Sequence, residues 1–152
     1  MTVDKAYADG NTKSPPHWRV YQCPMDPPSN PANPLVEFAN RNIKFSSYLM
    51  NSCVNNNDRA AGARSLKVTM FKPTNYLLWE ANTTVATPNN VFKDGAARGN
   101  EGIGTIHGDK GGTLGGMGGH VEFVTYTNFY FQALTDPNKN DVWYCTDTPN
   151  GR

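Results

Sequence analysis

Nothing in this 152-residue chain approaches the roughly 20 consecutive apolar residues that a membrane-crossing helix needs. The first segment, Met1 to Pro16, has neither the basic start nor the apolar centre of a signal peptide, so the chain as written carries no export address. Charge of one sign is missing too. Lys and Arg number 14 against 13 Asp and Glu, a net charge of +1, and they lie in small scattered groups. No basic stripe is available to neutralise a phosphate backbone, which excludes nucleic acid as a partner. Cysteine is scarce and odd in number: Cys23, Cys53 and Cys145, none in a Cys-x-x-Cys pair. Zinc-ribbon and thioredoxin-like readings fail on that count.

What the chain has in quantity is punctuation. Gly (14) and Pro (11) recur, while hydrophobic residues are 38% and charged residues 18%, both below globular averages. That mix favours short strands and many turns in one domain, with one core sufficient for a chain of this length. Residues 1–16 read as a polar arm and residues 17–152 as the globular part.

Along the chain, Trp18 to Gln22 alternates like a short strand before Cys23-Pro24 stops it, and Val36 to Asn42 fits one or two helical turns. Lys44 to Met50 reads as a strand ending at Asn51-Ser52. Ser65 to Phe71 alternates with period two, and Tyr76 to Trp79 is the most apolar run. With Pro73-Thr74-Asn75 between them, these two predict an antiparallel pair at the centre of a sheet. The glycine-dense stretch Gly102 to Gly119 is expected to interrupt any ordinary element. His120 to Tyr126 returns to strand alternation, Asn128 to Leu134 fits a short helix and Val142 to Cys145 a last strand. The fold class expected is α+β, β-dominated, on an antiparallel sheet of about four to six strands with long loops and short helices. A small β-sandwich is the second option.

Residue types for chemistry are present without the spacing that chemistry requires. Ser46, Ser47, Cys53, His17 and His107 supply candidate nucleophiles and bases, but the Gly-x-Ser-x-Gly elbow and the phosphate-cradling glycine loop are absent, so no enzyme activity is expected. His107, His120 and Glu122 are three loosely spaced metal-ligand types without a fourth, and the expectation is no metal there. Asp94, Asp109 and Asp141 lie in loops without an Asp-x-Asp-x-Asp ladder; calcium at these carboxylates is the one cofactor left open. In an oxidising compartment a disulfide between Cys23 and Cys53 would close a loop of about 30 residues and stabilise by roughly 3 to 4 kcal/mol. Three free, buried thiols are an equally open alternative.

Four segments and a tail, in order, carry a resemblance. Tyr21-Gln22-Cys23-Pro24-Met25-Asp26 matches a Cys-Pro-x-Asp motif, and Ser46-Ser47-Tyr48-Leu49-Met50-Asn51 a Ser-Tyr-x-Met-Asn motif. Leu77-Leu78-Trp79-Glu80-Ala81 is a short apolar strand ending in Glu. His107 is followed by Gly119-His120-Val121-Glu122-Phe123, and the chain closes on Val142-Trp143-Tyr144-Cys145 and Thr148-Pro149-Asn150-Gly151-Arg152. Together these resemble the head of bacterial prepilin-like proteins, of the type II secretion pseudopilin kind, whose hallmark is a His followed after nine residues by Asp-Gly. The hallmark is degenerate here, because Met117-Gly118 stands where Asp-Gly is expected and the carboxylate is absent.

The resemblance implies a pilin-like head and a structural role, as a subunit of a type IV pilus-like or secretion pseudopilus filament. It implies other pilin or pseudopilin subunits as partners and a place outside the cytoplasm. The family's N-terminal helix, both membrane anchor and filament core, is not in this sequence, and the chain is expected to be the head separated from it. The rival expectation is a secreted β-sheet module that binds carbohydrate or a surface through Trp18, Trp79, Trp143, Tyr126 and Tyr130. Three coplanar rings along one open groove would favour that rival; scattered buried rings favour the head.

Overall fold

The apolar run Tyr76-Leu77-Leu78-Trp79 forms the middle of a five-stranded sheet, where both edges of a strand are paired and large β-formers bury the most surface. The computed structural model describes residues 23–26, 46–55, 66–80, 82, 95–108 and 110–152. Within them lie β1 (Tyr48–Asn51), α1 (Ser52–Asn55), β2 (Tyr76–Glu80), β3 (Ala96–Ala97), β4 (Gly111–Gly116), β5 (Val121–Thr125) and α2 (Tyr126–Tyr130). A π-helical turn, Phe131–Thr135, continues α2. The strand order is β3-β1-β2-β4-β5, antiparallel throughout except for a parallel β1–β3 pair. The sheet is therefore mixed, and the described region is β-dominated. The predicted elements at residues 18–22 and 36–42 and the arm at residues 1–16 lie outside the described residues.

Register builds the core. Leu49 pairs with Trp79 and Trp79 with Leu114, so three fully buried side chains stand in one row across β1, β2 and β4. Phe129 of α2 meets that row, its ring 5.6 Å from the Trp79 ring at 69°. Thr125 caps α2 by accepting from the Asn128 N–H. The Trp143 indole donates to the Ala133 carbonyl at 2.8 Å, tying the C-terminal segment to the π-helical turn. That segment, Val142 to Cys145, is buried but makes no strand. Its backbone is occupied by side chains instead, with the Val142 and Trp143 N–H groups both donating to Asn140 Oδ1.

Besides the absent strand at Val142 to Cys145, three sequence expectations fail. Of the segment Ser65 to Phe71, Ser65 lies outside the described residues and residues 66–71 do not pair with β2: Val68–Met70 is a 3₁₀ turn, with Val68 and Met70 exposed. Both edges of β2 are already taken by β1 and β4, so an alternating pattern beside it has no ladder to join.

The glycine-dense stretch does contain a strand, β4, because backbone pairing needs no side chain and β4 is paired on both sides. Its glycines serve close approach. A Cβ at Gly112 would stand 2.8 Å from Ile103 and 3.2 Å from Glu80 Oε2, whereas at Gly115 the nearest atom is Leu78 Cβ at 3.9 Å. Gly112→Ala is expected to cost about 1–3 kcal/mol by overpacking. Gly115→Ala should be neutral or stabilise by up to about 1 kcal/mol, because alanine loses less backbone entropy. Urea denaturation of the two variants separates these outcomes; equal effects would mean that Gly112 is not a packing position.

The third correction is the disulfide: Cys53 pairs with Cys145, and Cys23 is a free, buried thiol. The Cys53 and Cys145 Cα atoms are 4.6 Å apart, inside the span a disulfide bridges. Loop length discriminates weakly between the two pairings, since tripling a loop changes closure entropy by only about 1 kcal/mol.

Two phenols in the core set an alkaline limit. Burial, then the charges of Glu122 and Asp141, push Tyr76 from 10.0 up to about 12. Burial first, with Asp141 after it, also raises Tyr144, whose hydroxyl donates to the Tyr76 carbonyl at 2.6 Å. A folded pKa above the unfolded one means that this contribution is whole below pH 10.0 and is lost as pH rises through about 12. Stability measured against pH should fall across that window together with the appearance of phenolate absorbance. Phenolate formation at Tyr76 or Tyr144 near pH 10 with the fold intact, read from the NMR signals of those two rings because the chain has seven tyrosines, would contradict the burial.

Candidate functional site

Cys23, Glu80 and His107 come from three separate stretches of chain and meet at one place. Cys23 opens a turn in which the Asp26 N–H donates to the Cys23 carbonyl at 2.9 Å, with Pro24 at the position whose fixed φ suits such a turn. The Cys23 N–H donates to Ser47 Oγ at 2.9 Å, which docks the turn beside β1. Glu80 ends β2, paired in register with Tyr48. His107 sits in the connection before β4, in a turn closed by the Gly108 N–H on the Thr105 carbonyl at 3.0 Å. That turn is braced from α2, because the Tyr126 hydroxyl donates to the Gly104 carbonyl at 2.9 Å.

The geometry is tight. His107 Nε2 lies 2.9 Å from Glu80 Oε1 and 3.4 Å from Cys23 Sγ. The other carboxylate oxygen of Glu80 accepts from the Thr113 N–H of β4 at 3.2 Å. Glu80 is fully buried, Cys23 nearly so, and the His107 side chain is 28% exposed. Burial pushes the Cys23 thiol up; the backbone N–H groups of Met25 and Asp26 pull the other way, and the neighbouring Glu80 adds to the rise. Tyr48 is pushed up to about 12, by burial first and then by the charges of Cys23, Glu80 and Asp26.

This arrangement is not a nucleophile relay. A thiol–imidazole–carboxylate relay uses the two ring nitrogens for two partners, one orienting and one taking the proton. Here the same nitrogen, Nε2, faces both the sulfur and the carboxylate. The thiol is also held in its neutral form by burial, opposite to what a reactive cysteine needs.

The remaining signature residues are spread through the domain. Asp26 is buried in the Cys-Pro turn. Met50 takes part in β1, its N–H donating to the Gly95 carbonyl at 3.0 Å. Asn51 donates to the Val142 carbonyl and accepts from the Cys53 N–H, both at 2.9 Å, linking β1, α1 and the C-terminal segment. Trp143 packs under Arg152, whose guanidinium lies 5.6 Å from its ring centre, and Cys145 closes the disulfide. Gly119 adopts φ 82° in the β4–β5 hairpin, a conformation that favours glycine. In the same hairpin, the Met117 and Gly118 N–H groups donate at 2.8 Å to the Asn75 and Pro73 carbonyls, so the positions of the missing Asp-Gly hold the turn through backbone alone.

His120 and Glu122 do not join His107 as ligands. They pair with each other at 3.6 Å on the surface, an exposed contact worth little. Among the described residues, Cys23, Glu80 and His107 are the group whose ligand atoms all lie within 4.8 Å of one another. Sequence spacing missed that set because its members are 27 to 84 residues apart. Of the carboxylates considered for calcium, Asp94 and Asp109 lie outside the described residues. Asp141 accepts from Thr74 Oγ1 at 2.7 Å and Asn75 Nδ2 at 3.2 Å.

The aromatic residues do not form a stacking platform among the described residues. Trp79 and Trp143 are buried, and the Tyr126 and Tyr130 rings are inclined at 45°. Trp18 lies outside the described residues. No helix among them is long and apolar enough to cross a membrane. Comparison with protein-family models, with curated proteins and with solved structures finds no match to the chain.

Proposed function

We propose that the chain is the globular head of a pilin-like structural subunit, acting through its surfaces in a type IV pilus-like or secretion pseudopilus filament. The observation that carries this reading is the outer edge of the sheet. β5 has no neighbour on its far side among the described residues, and it exposes Val121 at 71% and Phe123 at 52%. Phe131 and Leu134, on the turn that follows α2, are exposed as well. Soluble monomers blunt such edges with charge or cover, and an apolar open edge fits repeated contact with another subunit. A head-to-tail contact whose rotation does not close generates a filament and requires no active site.

The resemblance at Cys23, Tyr48, Glu80, His107 and Trp143 supports the same reading, since these residues serve internal construction. The Cys53–Cys145 disulfide is compatible with an oxidising compartment outside the cytoplasm. In this reading the helix that anchors relatives in the inner membrane supplies most of the association energy, so the chain alone sediments as a monomer at tens of micromolar. Antibodies raised against it should label filaments sheared from cells that produce the protein. Sheared filaments without label, or a stable closed oligomer of the chain, would remove the basis for this role.

A further inference from the structure

We propose that Cys23, Glu80 and His107 form a zinc(II) site, with a thiolate, a carboxylate oxygen and an imidazole nitrogen as its three protein ligands. The proposal does not depend on the filament reading.

Ligand spacing is the first ground. With zinc bonds of about 2.3 Å to sulfur and about 2.0–2.2 Å to nitrogen and oxygen, tetrahedral ligand atoms lie about 3.6 Å apart for S and N and about 3.4 Å apart for N and O. Cys23 Sγ and His107 Nε2 are 3.4 Å apart, and His107 Nε2 and Glu80 Oε1 are 2.9 Å apart. These two pairs ask for shifts of about half an ångström or less around an ion, and all three ligand atoms lie within 4.8 Å of one another. The convergence of sulfur and carboxylate on a single ring nitrogen, which defeats a relay, is what a shared central ion requires.

Electrostatics is the second ground. A fully buried carboxylate beside a buried thiol is a costly neighbourhood for a metal-free protein, because burial takes the carboxylate out of water and sets it next to a second group that ionises to an anion. A divalent cation reverses both effects and deprotonates the thiol outright. The surroundings already suit that product. The Asp26 N–H closes the turn on the Cys23 carbonyl, and the Cys23 N–H is held by Ser47 Oγ, so the sulfur is presented from a fixed backbone. The Thr113 N–H holds the second oxygen of Glu80, fixing the carboxylate's orientation as outer partners of metal ligands do.

A soft sulfur with imidazole and carboxylate selects zinc over calcium or magnesium. Binding releases the thiol proton to solvent and moves the imidazole proton to Nδ1, freeing the Nε2 lone pair. The partly exposed His107 ring provides the way in, and the fourth position falls to water.

Cobalt(II) titration of the thiol-reduced full chain, with the disulfide verified intact, tests this. One equivalent should develop a thiolate-to-cobalt charge-transfer band and tetrahedral visible bands, and one equivalent of zinc should abolish both. His107→Gln, at a partly exposed position compatible with folding, should weaken cobalt and zinc binding by more than about 100-fold, as should Cys23→Ser. His120→Gln should leave binding unchanged. Absence of the charge-transfer band in the folded wild-type protein, or binding that survives His107→Gln in a chain with native circular dichroism, would overturn the site.

Discussion

Removing the Cys53–Cys145 disulfide lowers the unfolding free energy by about 4–5 kcal/mol if its effect is mainly to restrict the unfolded chain, since the bridge spans 92 residues. For a domain of this size that is a fall of about 10–15 °C in the thermal midpoint. The bridge joins the first turn after β1 to the C-terminal segment, and the same junction holds two further ties. Asn51 reaches the Val142 carbonyl, and the Cys145 N–H donates to the Gly151 carbonyl at 3.0 Å. The tail is therefore held to β1 through Asn51 and folded on itself through Gly151, and the loss should appear as a lower midpoint with the native fold retained. Thermal unfolding of the Cys53→Ala/Cys145→Ala double variant beside the oxidised wild type measures it. A difference below about 1 kcal/mol would mean that the bridge restricts an unfolded chain already compact at this junction.

How far the sequence disclosed this structure depended on whether a signal was local. Tyr76 to Trp79 and the alternation from His120 to Tyr126 were legible as strands, because burial on a pleated ladder imposes period two on the chain itself. The helix read at Asn128 to Leu134 is present as α2 and the π-helical turn, beginning two residues earlier because Thr125 provides the cap and ending one later. Ser65 to Phe71 carried the same period without the result, since nothing in its own residues records that β2 is already paired on both edges. The strand at Gly111–Gly116 was hidden for the opposite reason: its pattern is erased by glycines, of which Gly112 admits Ile103 and Glu80.

The site shows the same limit in sharper form. Cys23, Glu80 and His107 were each singled out, but in separate motifs, and the obvious ligand grouping ran along the sequence from His107 to His120 and Glu122. What joins the real set is topology. β1 and β2 lie side by side, Ser47 docks the Cys-Pro turn beside them, and the 103–108 connection is held by the Gly104 N–H on the Glu80 carbonyl at 2.7 Å. The partner of Cys53 was equally invisible, because closure entropy barely separates its two candidate loops.

Glu80→Ala should be the most damaging single substitution at this site, by about 3–5 kcal/mol, with metal excluded by chelator during the measurement. The residue is fully buried and accepts from both His107 Nε2 and the Thr113 N–H. Truncation strands both donors, at about 1–3 kcal/mol each, and leaves a cavity beside Ile103 that a glycine at residue 112 cannot fill. Glu80→Gln keeps the volume and an acceptor for Thr113, so its cost should stay near 1–2 kcal/mol. The two variants separate shape and hydrogen bonding from charge, and His107→Gln combined with Glu80→Gln isolates the pair, with a coupling expected between about 0.5 and 3 kcal/mol. Additive effects in urea denaturation would mean that the 2.9 Å contact contributes nothing to the folded state. A Glu80→Gln variant more stable than the wild type would go further, because it would mean that the buried carboxylate is a net burden on the metal-free protein, retained for what it binds.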